Sequence, residues 1–179
     1  SAQSIDRPDF LAWLRDALAQ RAAVAQKIIF EITETAAIAG YGAAQEFIRE
    51  MRRFGCRFAL DDFGSGYTSY AHLKNLRTDI LKIDGSFVRD MIASESDVAM
   101  VKSMNDIAHV LGMKTVAEWV EQPEVLSRLA EAGIDYAQGY AIERPFALSR
   151  LAARINGADG TAQSVAAAGE ASGTVADPV

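Results

Sequence analysis

Polar residues, acidic in four cases out of five, stand at or near the ends of five short apolar segments of this 179-residue sequence. Together with one lysine and one amide, these polar residues are Glu31, Glu34, Asp61, Asp62, Lys82, Asp84, Glu118, Glu121 and Gln138. Carboxylates that crowd into one place repel each other unless cations compensate their charge. Hard divalent ions with oxygen ligands, such as Mg2+ or Mn2+, suit such a cluster. If the fold brings these residues together, the pattern predicts a metal site with a lysine beside it.

The apolar segments are typical of strands covered on both faces, because they are about six residues long and rich in Ile, Val, Phe and Ala. The predicted strands are Lys27–Thr33, Arg57–Phe63, Asp79–Asp84, Lys114–Val120 and Tyr136–Ala141. Helical patterns lie between them, and Gly55, Gly112 and Gly133 are predicted to end three of these helices in the left-handed conformation. The short connections from these glycines to the next strands predict that successive strands are parallel.

A repeated βα unit predicts an α/β protein with either an open doubly wound sheet or a (β/α)8 barrel. A closed barrel needs eight strands and about 250 residues, so five strands imply an open sheet or three missing strands. In both architectures the carboxyl ends of the parallel strands meet at one edge, where ligands bind. The polar residues are therefore expected to share one site.

Each polar residue also has a purely structural explanation. Asp61 and Asp62 precede a glycine-containing loop and suit a turn. Lys82 can pair with Asp84, which is two residues away on the same face of a strand. Glu121 suits the N-terminus of the following helix. Independent turns and caps do not require an acid or amide at the same end of every strand, so a shared site is the favoured hypothesis.

The composition argues against several other classes of protein. Half of the residues are apolar and the net charge is −6, as in an ordinary globular domain. No run approaches the roughly 18 apolar residues of a membrane helix, and no Lys/Arg cluster suits duplex nucleic acid. The single Cys56 excludes a disulfide framework and fits a cytoplasmic location. His72, His109 and Ser65 lack the sequence partners of a zinc site, a phosphate loop or a serine hydrolase.

Five segments, taken in order, resemble the EAL domain of bacterial cyclic-di-GMP phosphodiesterases. The segments are Phe30–Glu34, Leu60–Tyr67, Leu81–Asp84, Val116–Glu121 and Gln138–Tyr140. The resemblance implies a (β/α)8 TIM-like barrel of the EAL type, here incomplete with about five βα units. It also implies hydrolysis of cyclic-di-GMP to linear pGpG, with two Mg2+ or Mn2+ ions in the complete domain.

The resemblance assigns four residues to the metal ions. Glu31 and Asp61 match ligands of one ion, and Asp61 also bridges to a second ion that Asp62 holds. Asp84 matches a ligand of that second ion or of its water.

The resemblance assigns the remaining residues to catalysis, substrate binding and regulation. Lys82 matches the lysine that holds the attacking water, and Glu118 matches the glutamate proposed as general base. Glu121 and Gln138 match residues on the substrate side of the pocket. Glu34 matches a glutamate that steadies the loop after its strand, in a segment associated with dimerisation and regulation.

The sequence departs from the family pattern in two ways. The Glu-Ala-Leu segment that names the family, and the Asn of its next strand, are absent from the sequence as given. We therefore expect residues 1–156 to be the C-terminal five-eighths of an EAL domain and residues 157–179 to be a flexible Ala/Gly-rich tail. Trp119 replaces a glycine of the family pattern and is expected to reshape the pocket around Glu118 and Glu121.

The preferred hypothesis is a metal-dependent phosphodiesterase that shows little activity as this chain alone, because its first metal shell is incomplete. The main alternative is a catalytically degenerate receptor for cyclic-di-GMP. A third is a barrel enzyme that forms an enolate from a small acid. The resemblance also implies homodimerisation and upstream sensory or cyclase-like domains.

Overall fold

The computed structural model describes residue 5, residues 7–66 and residues 70–155. The predicted tail at 157–179 lies outside this part of the chain. Contacts divide the chain into two compact units, Ser1–Glu143 and Arg144–Val179, and each unit is described by itself. The second unit contributes one described helix, α9 (Leu148–Ile155), in which the Arg150 guanidinium lies 5.3 Å from the centre of the Phe146 ring.

The first unit is built on a five-stranded parallel sheet whose spatial order is also its order along the chain. Its strands are β1 (Ile29–Thr33), β2 (Arg57–Phe63), β3 (Ile80–Ile83), β4 (Lys114–Ala117) and β5 (Tyr136–Ala137). A doubly wound sheet reverses its strand order at a switch point, whereas a (β/α)8 barrel adds each strand beside the last. The observed order therefore favours the barrel, and the predicted α/β class with about five βα units is confirmed.

Helices precede β1 and connect successive strands. They are α1 (Pro8–Ala19), α2 (Ala22–Ala25), α3 (Glu34–Ala39), α4 (Tyr41–Arg52), α5 (Tyr70–Leu76), α6 (Gly85–Asp90), α7 (Glu95–Val110) and α8 (Glu124–Glu131). The glycines predicted to end helices, Gly55, Gly112 and Gly133, have φ angles of 86°, 78° and 78°. None of the helices in the described ranges has the length and apolar character needed to cross a membrane.

The apolar helix faces pack on the sheet as their spacing predicts. Phe47, Ile48 and Met51 of α4 are buried, and they belong to the same core cluster as Phe58 of β2. Met100 of α7, by contrast, is apolar but 49% exposed.

Four of the five strands are shorter than predicted. β1 begins at Ile29 because the N–H groups of Lys27 and Ile28 donate to carbonyls of α2 instead of to the sheet. β3 omits Asp79 and Asp84, which flank it. The reason at the carboxyl end is that Asp84 is the N-cap of α6.

The two largest errors are at the carboxyl ends of β4 and β5. β4 was expected to continue to Val120 but ends at Ala117, because the backbone turns into the left-handed region at Trp119. β5 was expected to continue to Ala141 but ends at Ala137. A turn follows it, in which the Ile142 N–H donates to the Gly139 carbonyl.

An aspartate precedes each of β3 and β5 and ties its strand to the neighbouring one. Asp79 Oδ2 accepts from the Phe58 N–H at 2.8 Å, and Asp135 Oδ2 accepts from the Thr115 N–H at 2.9 Å. Both contacts lie at the amino-terminal edge of the sheet, opposite the edge where the polar residues are expected. Residues at this end of a parallel barrel serve stability rather than catalysis.

Asp135 is the centre of a larger polar network. Burial alone would raise its pKa, but hydrogen bonds from Lys114, His109 and Thr115 hold the pKa well below the usual value. Asp135 Oδ1 lies 2.6 Å from Lys114 Nζ, and Oδ2 lies 2.7 Å from His109 Nε2. Thr115 Oγ1 continues the network by donating to Asn105. The carboxylate therefore stabilises the fold in its charged form.

Replacing Asp135 by Asn should lower the free energy of unfolding at neutral pH by about 1–3 kcal/mol, because several donors lose a charged acceptor. A lowered pKa means that the stabilisation is complete above the ordinary Asp pKa of about 3.9 and fades as the pH falls towards the lowered value. The difference in unfolding free energy between the unaltered chain and the variant, measured by urea denaturation, should therefore become smaller in acid.

The matched control is Asp106→Asn on α7. Asp106 is 59% exposed and pairs only at 3.5 Å with Lys102, so its loss should change stability by less than about 0.5 kcal/mol. A difference for Asp135→Asn that stays constant or grows in acid would contradict the proposed role of the charge.

Candidate active site

The Lys82 ammonium is the centre of a polar cluster at the carboxyl ends of the strands. Lys82 Nζ donates to Asp61 Oδ1 at 2.6 Å and lies 2.8 Å from Glu118 Oε1. It also donates to Glu31 Oε2 at 3.3 Å. The Lys82 side chain is only 6% exposed. Burial alone would lower its pKa, but the hydrogen bonds with Asp61 and Glu118 raise it above the usual value, so Lys82 is charged.

The pairing register explains why these side chains meet. Glu31 is paired with Ala59, and Leu60 is paired with Leu81, so strand alternation puts Glu31, Asp61 and Lys82 on the same face. Lys82 is paired with Val116, and Glu118 follows two residues later on that face. Four adjacent strand ends therefore converge on one ammonium group.

Asp62 joins this cluster because the backbone of β2 is irregular. Successive residues of a regular strand point to opposite faces, which would separate Asp62 from Asp61. The register between β2 and β3 shifts between Leu60 and Phe63, and Asp62 has a φ of 56°, which is left-handed and unusual for a residue other than glycine. As a result, carboxylate oxygens of Asp61, Asp62 and Glu118 lie within 4.8 Å of one another.

These three carboxylates form a donor set that suits a hard divalent cation. Each offers an oxygen ligand, and Mg2+, Mn2+ and Ca2+ prefer such ligands. Burial raises the pKa of Asp62, and the charges of Asp61 and Asp84 raise it further. Burial also raises the pKa of Glu118, although Lys82 opposes this change. The cluster therefore has more negative charge than Lys82 compensates, which favours an additional cation.

Glu31 and Asp84 lie beside this group with different surroundings. Glu31 is 52% exposed and contacts the cluster through Lys82. Asp84 Oδ1 accepts from the Ser86 N–H at 2.8 Å and from the Ser86 hydroxyl, so it caps α6. The alternative that Lys82 simply pairs with Asp84 is wrong, since its partners are Asp61, Glu118 and Glu31.

Glu34 lies under the loop that follows β2. It is 1% exposed, and its Oε2 accepts from the Gly64 N–H at 2.8 Å. A Cβ at Gly66 would lie 2.7 Å from Glu34 Oε1, so the loop backbone approaches the carboxylate closely. The contact fixes the start of the segment after Asp62.

Glu121 and Gln138 are exposed residues beyond β4 and β5. The backbone of Gln138 joins the two strand ends, because its N–H donates to the Ala117 carbonyl and its carbonyl accepts from the Val120 N–H. The structure thus puts both residues near the carboxyl edge, but outside the buried group around Lys82.

The sequence did not identify the close contact between Trp119 and Gly85. Trp119 has a φ of 54°, and its side chain lies against the Gly85 backbone at the start of α6. A Cβ at Gly85 would lie 2.3 Å from Trp119 Cγ, so no other residue type fits there without movement. The signal in the sequence was the glycine directly after Asp84. Its φ angle is not positive in the structure, so the close contact with Trp119 is what requires a glycine there.

The sequential parallel sheet and the polar cluster at its carboxyl edge define a protein of the (β/α)8 barrel class. Comparison with known families gives the narrower assignment, since the EAL domain profile matches residues 1–145. The chain belongs to the EAL domain family, and the resemblance found in the sequence is confirmed.

Known relatives and solved structures agree with this assignment. The cyclic di-GMP phosphodiesterase PdeB of Shewanella oneidensis is 51% identical over 120 residues, which are 67% of this chain and 14% of that protein. The FimX EAL domain from Pseudomonas aeruginosa bound to c-di-GMP has a TM-score of 0.75 at 29% identity, covering 81% of this chain and 60% of that one. The Klebsiella pneumoniae BlrP1 manganese/cy-diGMP complex has a TM-score of 0.68 at 32% identity, covering 75% of this chain and 34% of that one. The chain thus spans only a small part of the curated relative.

Replacing Lys82 by Met should destabilise the chain by about 3 kcal/mol in the presence of a chelator, because it leaves buried carboxylates without their counter-charge. Denaturant unfolding with EDTA measures this change. The control is Lys102→Met on α7, where the lysine is 57% exposed and the expected loss is below about 0.5 kcal/mol. Equal losses in the two variants would show that the ammonium does not support the cluster.

Replacing Gly85 by Ala should cost about 1–3 kcal/mol, since the new methyl group overlaps Trp119. The same substitution in a Trp119→Gly background should cost little or be slightly stabilising, because the overlap is gone and alanine restricts the unfolded chain. A double-mutant cycle of unfolding free energies measures the coupling.

Gly42→Ala is the matched control for this cycle, because nothing lies within 4 Å of a Cβ at that position in α4. It should stabilise the chain by about 0.5–1 kcal/mol in both backgrounds. An equal cost for Gly85→Ala with and without the indole would rule out the contact as its cause.

Proposed function

We propose that the protein containing this chain is a metal-dependent phosphodiesterase that hydrolyses cyclic-di-GMP to linear pGpG in bacterial second-messenger signalling. The observation that carries the proposal is the partly buried cluster in which Lys82 Nζ contacts Asp61 and Glu118 while Asp62 lies within 4.8 Å of both carboxylates. The name of the relative PdeB and the c-di-GMP complexes of the structural neighbours support the choice of substrate.

The carboxylates at the strand ends are the proposed ligands of Mg2+ or Mn2+. Asp61 and Asp62 provide adjacent oxygens, while Glu31 and Asp84 lie at the two sides of the cluster and complete the proposed set. A pair of divalent ions supplies an activated water at neutral pH and neutralises charge on a phosphodiester. The manganese/cy-diGMP complex of the structural neighbour BlrP1 supports an ion of this kind.

Lys82 and Glu118 are the proposed catalytic residues. The Lys82 ammonium retains its proton and can hold an anionic phosphate oxygen or the attacking water by hydrogen bonding. Glu118 is buried beside it, and burial raises its pKa, which makes its carboxylate a better proton acceptor. With Oε1 held by Lys82, Oε2 is proposed to receive the proton of the water that attacks phosphorus.

The outer residues complete the proposal. Glu121 and Gln138 are proposed to contact the substrate at the exposed side of the site. Glu34, which fixes the loop after β2 through Gly64, is proposed to support homodimerisation in that region. A cytoplasmic location is proposed because Cys56 is a free thiol, which fits a reducing compartment.

The extent of the chain also enters the proposal. We take residues 1–156 as the C-terminal five-eighths of the domain, preceded in the whole protein by sensory or cyclase-like domains. The described sheet has five of the eight strands of a closed barrel. The chain alone is therefore proposed to have little activity.

The decisive experiment measures pGpG formation by the full-length protein with Mg2+ or Mn2+. Replacing Glu118 by Gln should lower kcat by about 100- to 10,000-fold, because the amide cannot accept the proton of the water. Binding of cyclic-di-GMP should persist, since the substitution keeps the shape of the side chain. Chromatography of the products and a separate binding titration give the two readouts.

Glu95→Gln is the control for this experiment. Glu95 is 81% exposed and pairs with Arg128 at the surface, so its replacement should leave kcat unchanged. Binding of cyclic-di-GMP without metal-dependent hydrolysis by the unaltered protein would replace the enzyme by the receptor alternative. Absence of binding would reject both.

A further inference from the structure

Trp119 is an exposed aromatic residue beside the buried cluster. It is 58% exposed, although it directly follows Glu118, which is 6% exposed. β4, which leads into Trp119, lies between β3 and β5. The exposure therefore does not arise from a position on an edge strand of the sheet.

Folding stability does not explain a tryptophan at this position. The φ of 54° puts Trp119 in the left-handed region, which is unfavourable for a bulky side chain and suits glycine. An indole that stays exposed gains little from burial in return. Unfavourable backbone conformations of this kind are found where the position of a side chain serves a binding site.

The indole is nevertheless held in a defined place. A Cβ at Gly85 would lie 2.3 Å from Trp119 Cγ and 2.6 Å from Cδ2, so the ring system lies against this backbone. Gly85 directly follows Asp84, and Trp119 directly follows Glu118. A fixed and accessible aromatic group thus lies beside two strand ends that carry candidate site residues.

We propose that Trp119 is a positioning residue that stacks on a guanine base of the cyclic dinucleotide, an inference that rests on the proposed function. The carboxylates and Lys82 recognise charge on the phosphodiester and its cations, and such charges are common to all cyclic dinucleotides. A base joined to that phosphate through a ribose offers a planar π surface, which exposed aromatic side chains bind by stacking. Trp119 then fixes the phosphate by holding the base that is joined to it through the ribose.

The test uses the full-length protein with Trp119→Gly and Trp119→Phe. Glycine relieves the backbone strain, so this variant should fold, and it should bind cyclic-di-GMP about 5- to 150-fold more weakly. KM should rise in the same proportion, while kcat at saturation changes less than about threefold because the site chemistry remains. Phenylalanine keeps an aromatic face and should restore most of the affinity.

Fluorescence provides a readout that a purely structural role would not change. The chain has two tryptophans, and Trp13 is 63% exposed on α1. In a Trp13→Phe background, titration with cyclic-di-GMP in Ca2+ should quench the remaining emission of this chain. Any tryptophans outside the 179 residues are replaced by Phe in the same background, and chromatography checks that the ligand stays intact. The calcium/cy-diGMP complex of BlrP1 motivates the choice of ion.

The outcomes separate this inference from the proposed function. Weaker binding by Trp119→Gly, rescue by Phe and quenching on binding together support stacking. Equal affinity of the unaltered protein and Trp119→Gly, or saturation without any change in emission, overturns the stacking role and leaves the phosphodiesterase proposal standing. A protein that neither binds nor hydrolyses cyclic-di-GMP overturns both.

Discussion

The carboxyl edge of this sheet depends on the ion pairs that the buried Lys82 ammonium makes with neighbouring carboxylates. Asp61 and Glu118 lie 2.6 and 2.8 Å from Nζ, close enough to repel strongly if the cation were removed. A buried ammonium is in turn tolerated only when carboxylates accept its hydrogen bonds. Lys82 and the two carboxylates therefore stabilise one another in their charged forms. The three belong to adjacent strands, so the same contacts also hold the ends of β2, β3 and β4 together.

The polar residues at the two edges of the sheet make different kinds of interaction. At the amino-terminal edge, Asp79 and Asp135 accept hydrogen bonds from backbone N–H groups of neighbouring strands. Further hydrogen bonds from Lys114 and His109 keep Asp135 ionised. At the carboxyl edge, Asp62 and Trp119 adopt left-handed backbone conformations that oppose stability. The candidate site residues therefore lie at one edge and the aspartates that tie neighbouring strands together lie at the other, although a further left-handed residue, Arg77, precedes β3 at the amino-terminal edge. This division is expected of parallel barrels, whose chemistry is performed at one end.

The strand boundaries show where the local hydrophobic pattern no longer predicts the structure. β2 was predicted with its observed bounds, because its run pairs with β1 from Arg57 to Asp61 and with β3 from Ala59 to Phe63. β4 and β5 were predicted too long, since Val120 and Ala141 are apolar but follow Trp119 and Gly139, where the chain turns. An apolar residue type indicates burial, and Val120 is indeed buried, but a residue can be buried without belonging to a β-strand.

The sequence by itself determined the α/β repeat, the parallel strands, the family and the residues that gather at one edge. These features depend on local periodicity and on residue types at fixed spacing, which a linear pattern records. Only the tertiary structure decided that Asp62 faces the same cluster as Asp61, that Lys82 pairs across strands rather than with Asp84, and that Trp119 excludes a side chain at Gly85. Each of these depends on a bulge, a strand register or a close backbone approach, and such relations between distant segments exist only once the chain has folded.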